Sequence, residues 1–190
     1  MLPAFHRIEH WTGDPGATRG TGGPIPVGEP RGLLPGASAF IAACEAIGFP
    51  RHRDINDGAI EGVAPVQMNV RRGRRVSTAQ AYLRPARRRP NLRVMTGVTA
   101  QCLLIEGGRA VGAVVRRDDG AMAEMRAHRE VVVCAGAIAT PKLLMLSGIG
   151  DGEALRALGR LVTLHRLCVG QNLQDHFTAA SASARARPAR

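Results

Sequence analysis

The chain has 190 residues, of which 45% are hydrophobic and only 3% aromatic, and its 26 basic against 15 acidic residues give a formal net charge of +11. A chain of this length can form one domain with its own core. No run of about 18 apolar residues occurs, which predicts no transmembrane helix. The N-terminus lacks a signal-peptide pattern, so we expect a cytoplasmic protein.

The first half of the chain predicts loops and short helices. Residues 1–36 are rich in glycine and proline and predict mostly loop after a short opening helix. A helix is predicted from Ala37 to Ile47, with Gly48 ending it. Ser77 is predicted to cap a further helix that must finish before Pro85. The helix predicted from Ala37 to Ile47 has an apolar face that consists of Phe40, Ile41, Cys44 and Ile47.

From Leu92 onward the pattern is that of β-strands separated by turns. The turns are predicted at Gly107–Gly108 and at Asp118–Gly120. The predicted strands are Leu92–Thr99, Gln101–Glu106, Ala110–Arg116 and Ala121–Arg126. These segments form a hairpin-rich insert.

A glycine turn between a predicted strand and a predicted helix is the most informative local pattern. The β-branched run Val131–Cys134 predicts a buried strand of a parallel sheet, followed by the turn Ala135–Gly136. Thr140 and Pro141 are predicted as the cap and first residue of a helix that Ser147–Gly150 ends. This geometry brings backbone N–H groups close to an anionic or nucleotide ligand, although in most α/β proteins it is purely structural.

Three motifs occur in order along the chain. Residues Gly73–Leu83 read GRRVSTAQAYL, Gly136–Gly150 read GAIATPKLLMLSGIG, and Val169–His176 read VGQNLQDH. Together they resemble the motifs of the glucose–methanol–choline (GMC) family of flavin-dependent oxidoreductases. The resemblance extends from Leu2 to Phe177.

The resemblance implies an α/β fold with an α+β insert, as part of an FAD-binding, three-layer Rossmann-like domain. It implies FAD as the cofactor, with the backbone of Val98 against the adenine and with Ala135 and Gly136 approaching the adenosine and pyrophosphate. Residues 1–177 would form a partial FAD-binding domain. Residues 178–190 are small and basic and are predicted to be a disordered tail.

Two parts of the family pattern are missing from the sequence. No G-x-G-x-x-G occurs, which in the family holds the FAD pyrophosphate. The family's C-terminal catalytic histidine has no counterpart either, and we interpret His176 as structural. The sequence is therefore interpreted as the middle of a GMC oxidoreductase without its first βαβ unit. We expect it to be truncated and inactive alone, and no catalytic residue is assigned.

The reaction that the resemblance implies is the oxidation of a small alcohol of the choline type. A base takes the hydroxyl proton while hydride passes to the flavin.

One alternative is a non-catalytic remnant that complements a second chain carrying the missing parts. Without neighbouring strands, the run Val131–Cys134 is then predicted to be an exposed apolar edge.

The second alternative is an arginine-rich nucleic-acid-binding protein. Arginines cluster at 71–75 and again at 84–89, as phosphate backbones favour. Stacking aromatic residues are not interleaved with them, so we expect solvated surface and no nucleic-acid partner.

The four cysteines predict neither a metal site nor a disulfide framework. They are widely spaced, no C-x-x-C occurs and no histidine lies at metal-ligand spacing. Cys102 and Cys134 fall in predicted strands and are expected to be small buried side chains.

Overall fold

The computed structural model describes residues 1–14, 16–56, 58 and 61–176. The chain divides into two compact units, Met1–Val94 and Met95–Arg190. The predicted domain end at residue 177 and the tail 178–190 lie outside the described residues, so the proposed domain division stays a prediction. None of the helices in the described ranges is both long and apolar enough to cross a membrane.

The first unit is built from short elements. A parallel pair of short strands places Glu9 opposite Ile25 and Trp11 opposite Val27. Trp11, Ile41 and Val76 are its buried apolar side chains. The elements are α1 (Leu2–Ile8), β1 (Glu9–Trp11), β2 (Ile25–Val27), α2 (Pro35–Ala46), β3 (Val70–Arg71), β4 (Arg74–Arg75), a π-helical turn (Ala79–Leu83) and α3 (Arg84–Ala86).

Helix α2 confirms the helix that was predicted from Ala37 to Ile47, and it starts two residues earlier, at Pro35. Proline at its first turn has no N–H to leave unpaired, which favours helix initiation there. Gly48 follows with φ of +98°, the left-handed conformation that ends many helices. The predicted packed face is only partly buried, because Ile41 is buried while Phe40 and Ile47 are exposed.

The prediction that the next helix finishes before Pro85 is wrong. The π-helical turn continues directly into α3, which contains Pro85. In the π-helical turn, Arg84 N–H donates to the carbonyl of Ala79, five residues back. This wider hydrogen-bonding pattern accommodates a residue that has no N–H to donate.

The second unit contains an antiparallel sheet of three strands, which lie side by side in chain order. Both predicted hairpin turns are confirmed, and Gly107, Gly108 and Gly120 adopt positive φ in them. The segment before Val98 is irregular, so the predicted separate strand Leu92–Thr99 does not form. The strands are β5 (Val98–Glu106), β6 (Arg109–Arg117) and β7 (Met122–Arg126).

The predicted buried strand Val131–Cys134 is also wrong. The segment belongs to no strand, and the side chain of Val132 is 74% exposed. Cys134 is exposed too, whereas Cys102 in β5 is half-buried. A strand needs a neighbour to pair its N–H and C=O groups, and none of the described strands pairs with this segment. The predicted apolar strand edge therefore does not form, although the side chain of Val132 is exposed.

The remaining elements pack as a compact end of the second unit. Leu103, Val115, Leu143 and Leu155 are its buried apolar side chains. The N-cap Asp151 accepts a hydrogen bond from Glu153 N at 3.0 Å. The elements are α4 (Gly136–Leu146), β8 (Ile149–Gly150), α5 (Gly152–Ala157) and β9 (Leu164–His165), with β8 and β9 parallel.

One exposed ion pair makes the stability of the sheet depend on pH. Arg126 on β7 donates to Glu106 at 2.8 Å, and this hydrogen bond and the nearby positive charge lower the pKa of Glu106. A lowered pKa gives stability that is present above the unfolded-state value, about 4.3 for glutamate, and is lost as the pH falls through the folded-state value.

We therefore expect Glu106→Gln to lower the urea midpoint slightly at pH 7, by an amount that shrinks as the pH falls through the lowered pKa of Glu106. The measurement is a urea titration of both proteins from pH 3 to pH 7. A difference between the two midpoints that stays constant across this range would contradict the assignment.

Candidate cofactor-binding site

The turn Ala135–Gly136 leads directly into α4. Gly136 has φ of +85°, in the left-handed region that glycine adopts without strain. A Cβ on this residue would meet no heavy atom within 4 Å beyond its chain neighbours and the helix backbone. Both turn residues are exposed. The backbone of the turn is thus open to close approach by a ligand.

Helix α4 begins at this turn and has no side-chain cap. Its N-cap is Ala135, no side chain accepts its first N–H groups, and its first turn holds no acidic residue. The first four N–H groups of a helix lack intrahelical partners and carry the positive end of the helix dipole. This helix end is suited to bind an anionic group.

The prediction that the helix starts at Thr140 and Pro141 is wrong. Helix α4 starts five residues earlier, and Pro141 lies inside it. Pro141 has no N–H to donate to the carbonyl four residues back, so one hydrogen bond is missing from the second turn of α4. The turn and the helix start therefore coincide at Ala135–Gly136.

A groove of about 500 Å³ borders the first turns of α4. Its second wall is the segment Gly170–Gln174. Asn172 in that wall adopts φ of +54°, and Gly170 adopts +81°. The volume is in the range of small-molecule sites. The α4 residues in the groove are Ala137, Ile138, Pro141 and Met145.

Sequence reasoning placed Asn172 in a motif but gave it no role. A non-glycine residue at positive φ is uncommon, and asparagine is enriched there because its side chain tolerates this conformation. The Gly-x-Asn spacing was the one local signal that could have indicated irregular backbone in this segment.

Val98 is the first residue of β5 and is half-buried. Gly97 before it has φ of +67°, and its carbonyl accepts a hydrogen bond from Asp118 N at 3.0 Å. This bond fixes the start of β5 against the end of β6. The backbone of Val98 is therefore held by its neighbours.

Strand β5 is attached to the far end of α4. Leu103 N donates to Ser147 Oγ at 2.8 Å, and Ser147 Oγ donates to the Leu143 carbonyl at 2.6 Å. Among the described residues no hydrogen bond joins Val98 to the turn at Ala135–Gly136. The structure places all three predicted cofactor residues in one unit and brings only the two turn residues together.

The described ranges offer no metal centre, since no three His, Cys, Asp or Glu side chains are grouped there as ligands would be. The amide of His176 binds the carboxylate of Asp175, and the His176 side chain is exposed.

Comparison with known proteins matches the model of the GMC oxidoreductase family over residues 1–178. The chain is 42% identical to an oxygen-dependent choline dehydrogenase of Rhizobium johnstonii over 177 residues, which are 93% of this chain and 32% of that protein. A choline dehydrogenase of Sinorhizobium fredii is 43% identical over the same shares. The chain thus spans about one third of the length of these relatives.

Solved structures agree with this match. Pyridoxine 4-oxidase from Mesorbium loti superposes with a TM-score of 0.80 at 38% identity, over 86% of this chain and 32% of that one. An FAD-dependent oxidoreductase from Chaetomium thermophilum gives 0.81 at 29% identity, over 92% and 32%. The chain has the α/β fold of these flavoproteins. It belongs to the GMC oxidoreductase family, whose cofactor is FAD.

Proposed function

We propose that this chain supplies part of the FAD site of an enzyme that oxidises a small alcohol. In this proposal Ala135 and Gly136 hold the adenosine and pyrophosphate through their backbone, and the backbone of Val98 lies against the adenine. The observation that carries the proposal is the open, left-handed turn at Gly136 directly before the uncapped start of α4.

The residues present fit this cofactor. A pyrophosphate needs N–H donors and positive potential, which the uncapped helix start offers. It also needs backbone close to the ligand, which the space beside Gly136 allows. The groove along α4 leaves room for a flat ring system. FAD, when bound, accepts the hydride that the alcohol loses.

The proposed substrate is an alcohol of the choline type. This choice rests on the names of relatives that are 41–43% identical, against 38% for the pyridoxine oxidase. We propose further that the 190-residue chain does not oxidise alcohol by itself, because none of the described residues that line the groove along α4 can act as the base that takes the hydroxyl proton.

A second polypeptide segment is proposed to cover the apolar surface beside the turn. Val132 and Ile138 flank Gly136 and are 74% and 75% exposed. Large exposed apolar side chains on both sides of a ligand turn favour a covering partner. The partner proposed is a complementary polypeptide fragment.

The cofactor proposal is tested by titrating the purified chain with FAD and following flavin fluorescence. We expect weak, saturable binding that does not survive gel filtration. Gly136→Ala should weaken it about tenfold, because the added methyl group occupies the space of the ligand and strains the backbone.

Gly159→Ala is the matched control. Gly159 also has positive φ and open space around it, but it follows α5. The Gly159→Ala variant should bind FAD with the same affinity as the unchanged chain. Equal loss in both variants, or no saturable binding by a chain with native circular dichroism, would argue against the cofactor site. Turnover of choline by the chain with FAD would refute only the proposal that it is inactive alone.

A further inference from the structure

The hairpin β3–β4 places arginines at the tip of a tight turn. Its strands pair Val70 with Arg75 and Arg71 with Arg74, which leaves a two-residue loop. Arg72 and Gly73 in that loop have φ of +52° and +74°, the pattern of a type I′ turn. This turn strongly prefers asparagine or glycine in its first central position, so an arginine at Arg72 is conformationally unfavourable.

The base of the hairpin is fixed. Val76 N donates to the Asn69 carbonyl at 2.7 Å, and Asn69 Nδ2 donates to the Val76 carbonyl at 2.8 Å. The side chain of Val76 is buried. The arginines therefore project from a backbone that is held in place.

A cleft of about 720 Å³ opens beside the hairpin within the first unit. Arg71, Arg72 and Arg74 line it from the hairpin, and Gln80 and Arg84 line it from the following helical segment. The rest of the wall is apolar or small: Pro24, Val76, Ala81 and Pro85.

The four guanidinium groups have no counter-charge in the part of the chain that the structure describes. None of the ion pairs there includes Arg71, Arg72, Arg74 or Arg84. Arg71 and Arg74 stand directly opposite each other in the ladder, where like charges are destabilising. The hairpin thus combines an unfavourable turn residue with unfavourable charge repulsion, and a bound anion would offset the repulsion.

We propose that this cleft binds a small ligand with two neighbouring oxyanion groups, such as a diphosphate. Two guanidinium groups on adjacent strands offer two planar forks, each able to form a bidentate pair with an oxyanion. Gln80 offers a neutral amide donor, and the apolar wall suits the body of the ligand. The proposal concerns the first unit and is independent of the FAD site at Gly136.

The test is isothermal titration of the 190-residue chain with inorganic pyrophosphate, inorganic phosphate and citrate at constant ionic strength. We expect one pyrophosphate per chain and binding at least tenfold tighter than that of phosphate. The double variant Arg71→Gln/Arg74→Gln should lose at least tenfold in affinity. Without ligand it should be as stable as the unchanged chain or more stable, because it lacks the repulsion.

The double variant Arg88→Gln/Arg89→Gln is the control, since it removes the same charge from exposed residues that do not line the cleft. It should bind pyrophosphate within twofold of the unchanged chain. Arg72→Asn should raise the thermal midpoint and weaken pyrophosphate, which a merely structural arginine would not do.

Equal losses in the two double variants would overturn the site in favour of general charge attraction. Absence of saturable binding, or tighter binding of single-stranded RNA than of pyrophosphate, would overturn it as well. Citrate binding as tightly as pyrophosphate would support the cleft and identify carboxylates as a second source of the oxyanions. Gly136→Ala should leave pyrophosphate binding unchanged, which separates this site from the cofactor site.

Discussion

Gly148→Ala is expected to destabilise the second unit by about 3 kcal/mol, from a left-handed backbone cost of about 1–2 kcal/mol and an overpacking cost of about 1–3 kcal/mol. Gly148 has φ of +79° and is buried. A Cβ there would lie 2.5 Å from Thr163 Oγ1 and 2.7 Å from the Leu161 carbonyl oxygen. The second of these is a backbone atom and cannot rotate away.

The clash would also weaken the contact between β8 and β9. The Gly148 carbonyl accepts hydrogen bonds from Thr163 N at 2.8 Å and from Leu164 N at 3.0 Å. Moving the backbone to admit a methyl group weakens both bonds. We therefore expect amide hydrogen exchange at Thr163 and Leu164 to accelerate together with the loss of stability.

Gly159→Ala separates the two causes. Gly159 has φ of +67°, but no heavy atom lies within 4 Å of its would-be Cβ, so only the backbone cost of about 1–2 kcal/mol applies. Urea unfolding of both variants measures the difference. Equal midpoint shifts would show that close packing at Gly148 adds nothing to the strain.

The features that the sequence predicted correctly depend on local chemistry. The Gly107–Gly108 turn and the Asp118–Gly120 turn each fix a hairpin through glycines at positive φ, and both form. Gly48 ends α2 for the same reason. The information for such features lies within a few residues, so composition and order suffice to predict them.

The features that were predicted wrongly depend on distant partners or on tolerated exceptions. Val131–Cys134 has the composition of a buried strand, but burial requires neighbouring strands that composition cannot supply. Thr140 and Pro141 have the pattern of a helix start, yet a helix admits proline in its second turn when an earlier glycine turn has already started it. A sequence pattern that is compatible with a helix start does not require the helix to start there.

The candidate site shows a third limit. Val98, Ala135 and Gly136 are assigned through family resemblance, because a backbone contact leaves no requirement on the side chain except small size. The open turn could be anticipated from Gly136. The groove wall at Gly170–Gln174 could not, because nothing in the sequence indicates that it lies beside α4.

The burial and ion pairing of Arg19 could not be predicted from the sequence either. Its side chain is only 4% exposed in a chain whose basic residues were expected to be solvated. Its guanidinium lies 3.3 Å from Glu9 and 3.3 Å from Asp54, and it donates to Gln67 Oε1 at 3.1 Å. It also lies over the Trp11 ring at 4.0 Å. These partners are dispersed over about 60 positions of sequence, so no local pattern indicates them.

Arg19→Met is expected to cost about 3–5 kcal/mol of stability, because removing one member of a buried ion cluster leaves the others without compensation. Glu9 and Asp54 have side chains only 16% and 17% exposed, so water replaces the lost guanidinium poorly. Urea unfolding measures the loss. Arg51→Met is the exposed control: Arg51 pairs with Glu45 at 3.8 Å with 52% of its side chain exposed, and its loss should cost less than about 1 kcal/mol.

Adding Glu9→Gln and Asp54→Asn to Arg19→Met tests the physical cause. The amide oxygens can still accept the hydrogen bonds that Gly20 N gives to Glu9 and that Asn56 N and Gln67 Nε2 give to Asp54. Only the negative charge is removed. If uncompensated charge causes the instability, the triple variant recovers a large part of the loss, which a double-mutant-cycle analysis expresses as a coupling energy. If lost packing against Trp11 causes it, the triple variant stays as unstable as Arg19→Met, and the cluster acts through contact rather than charge.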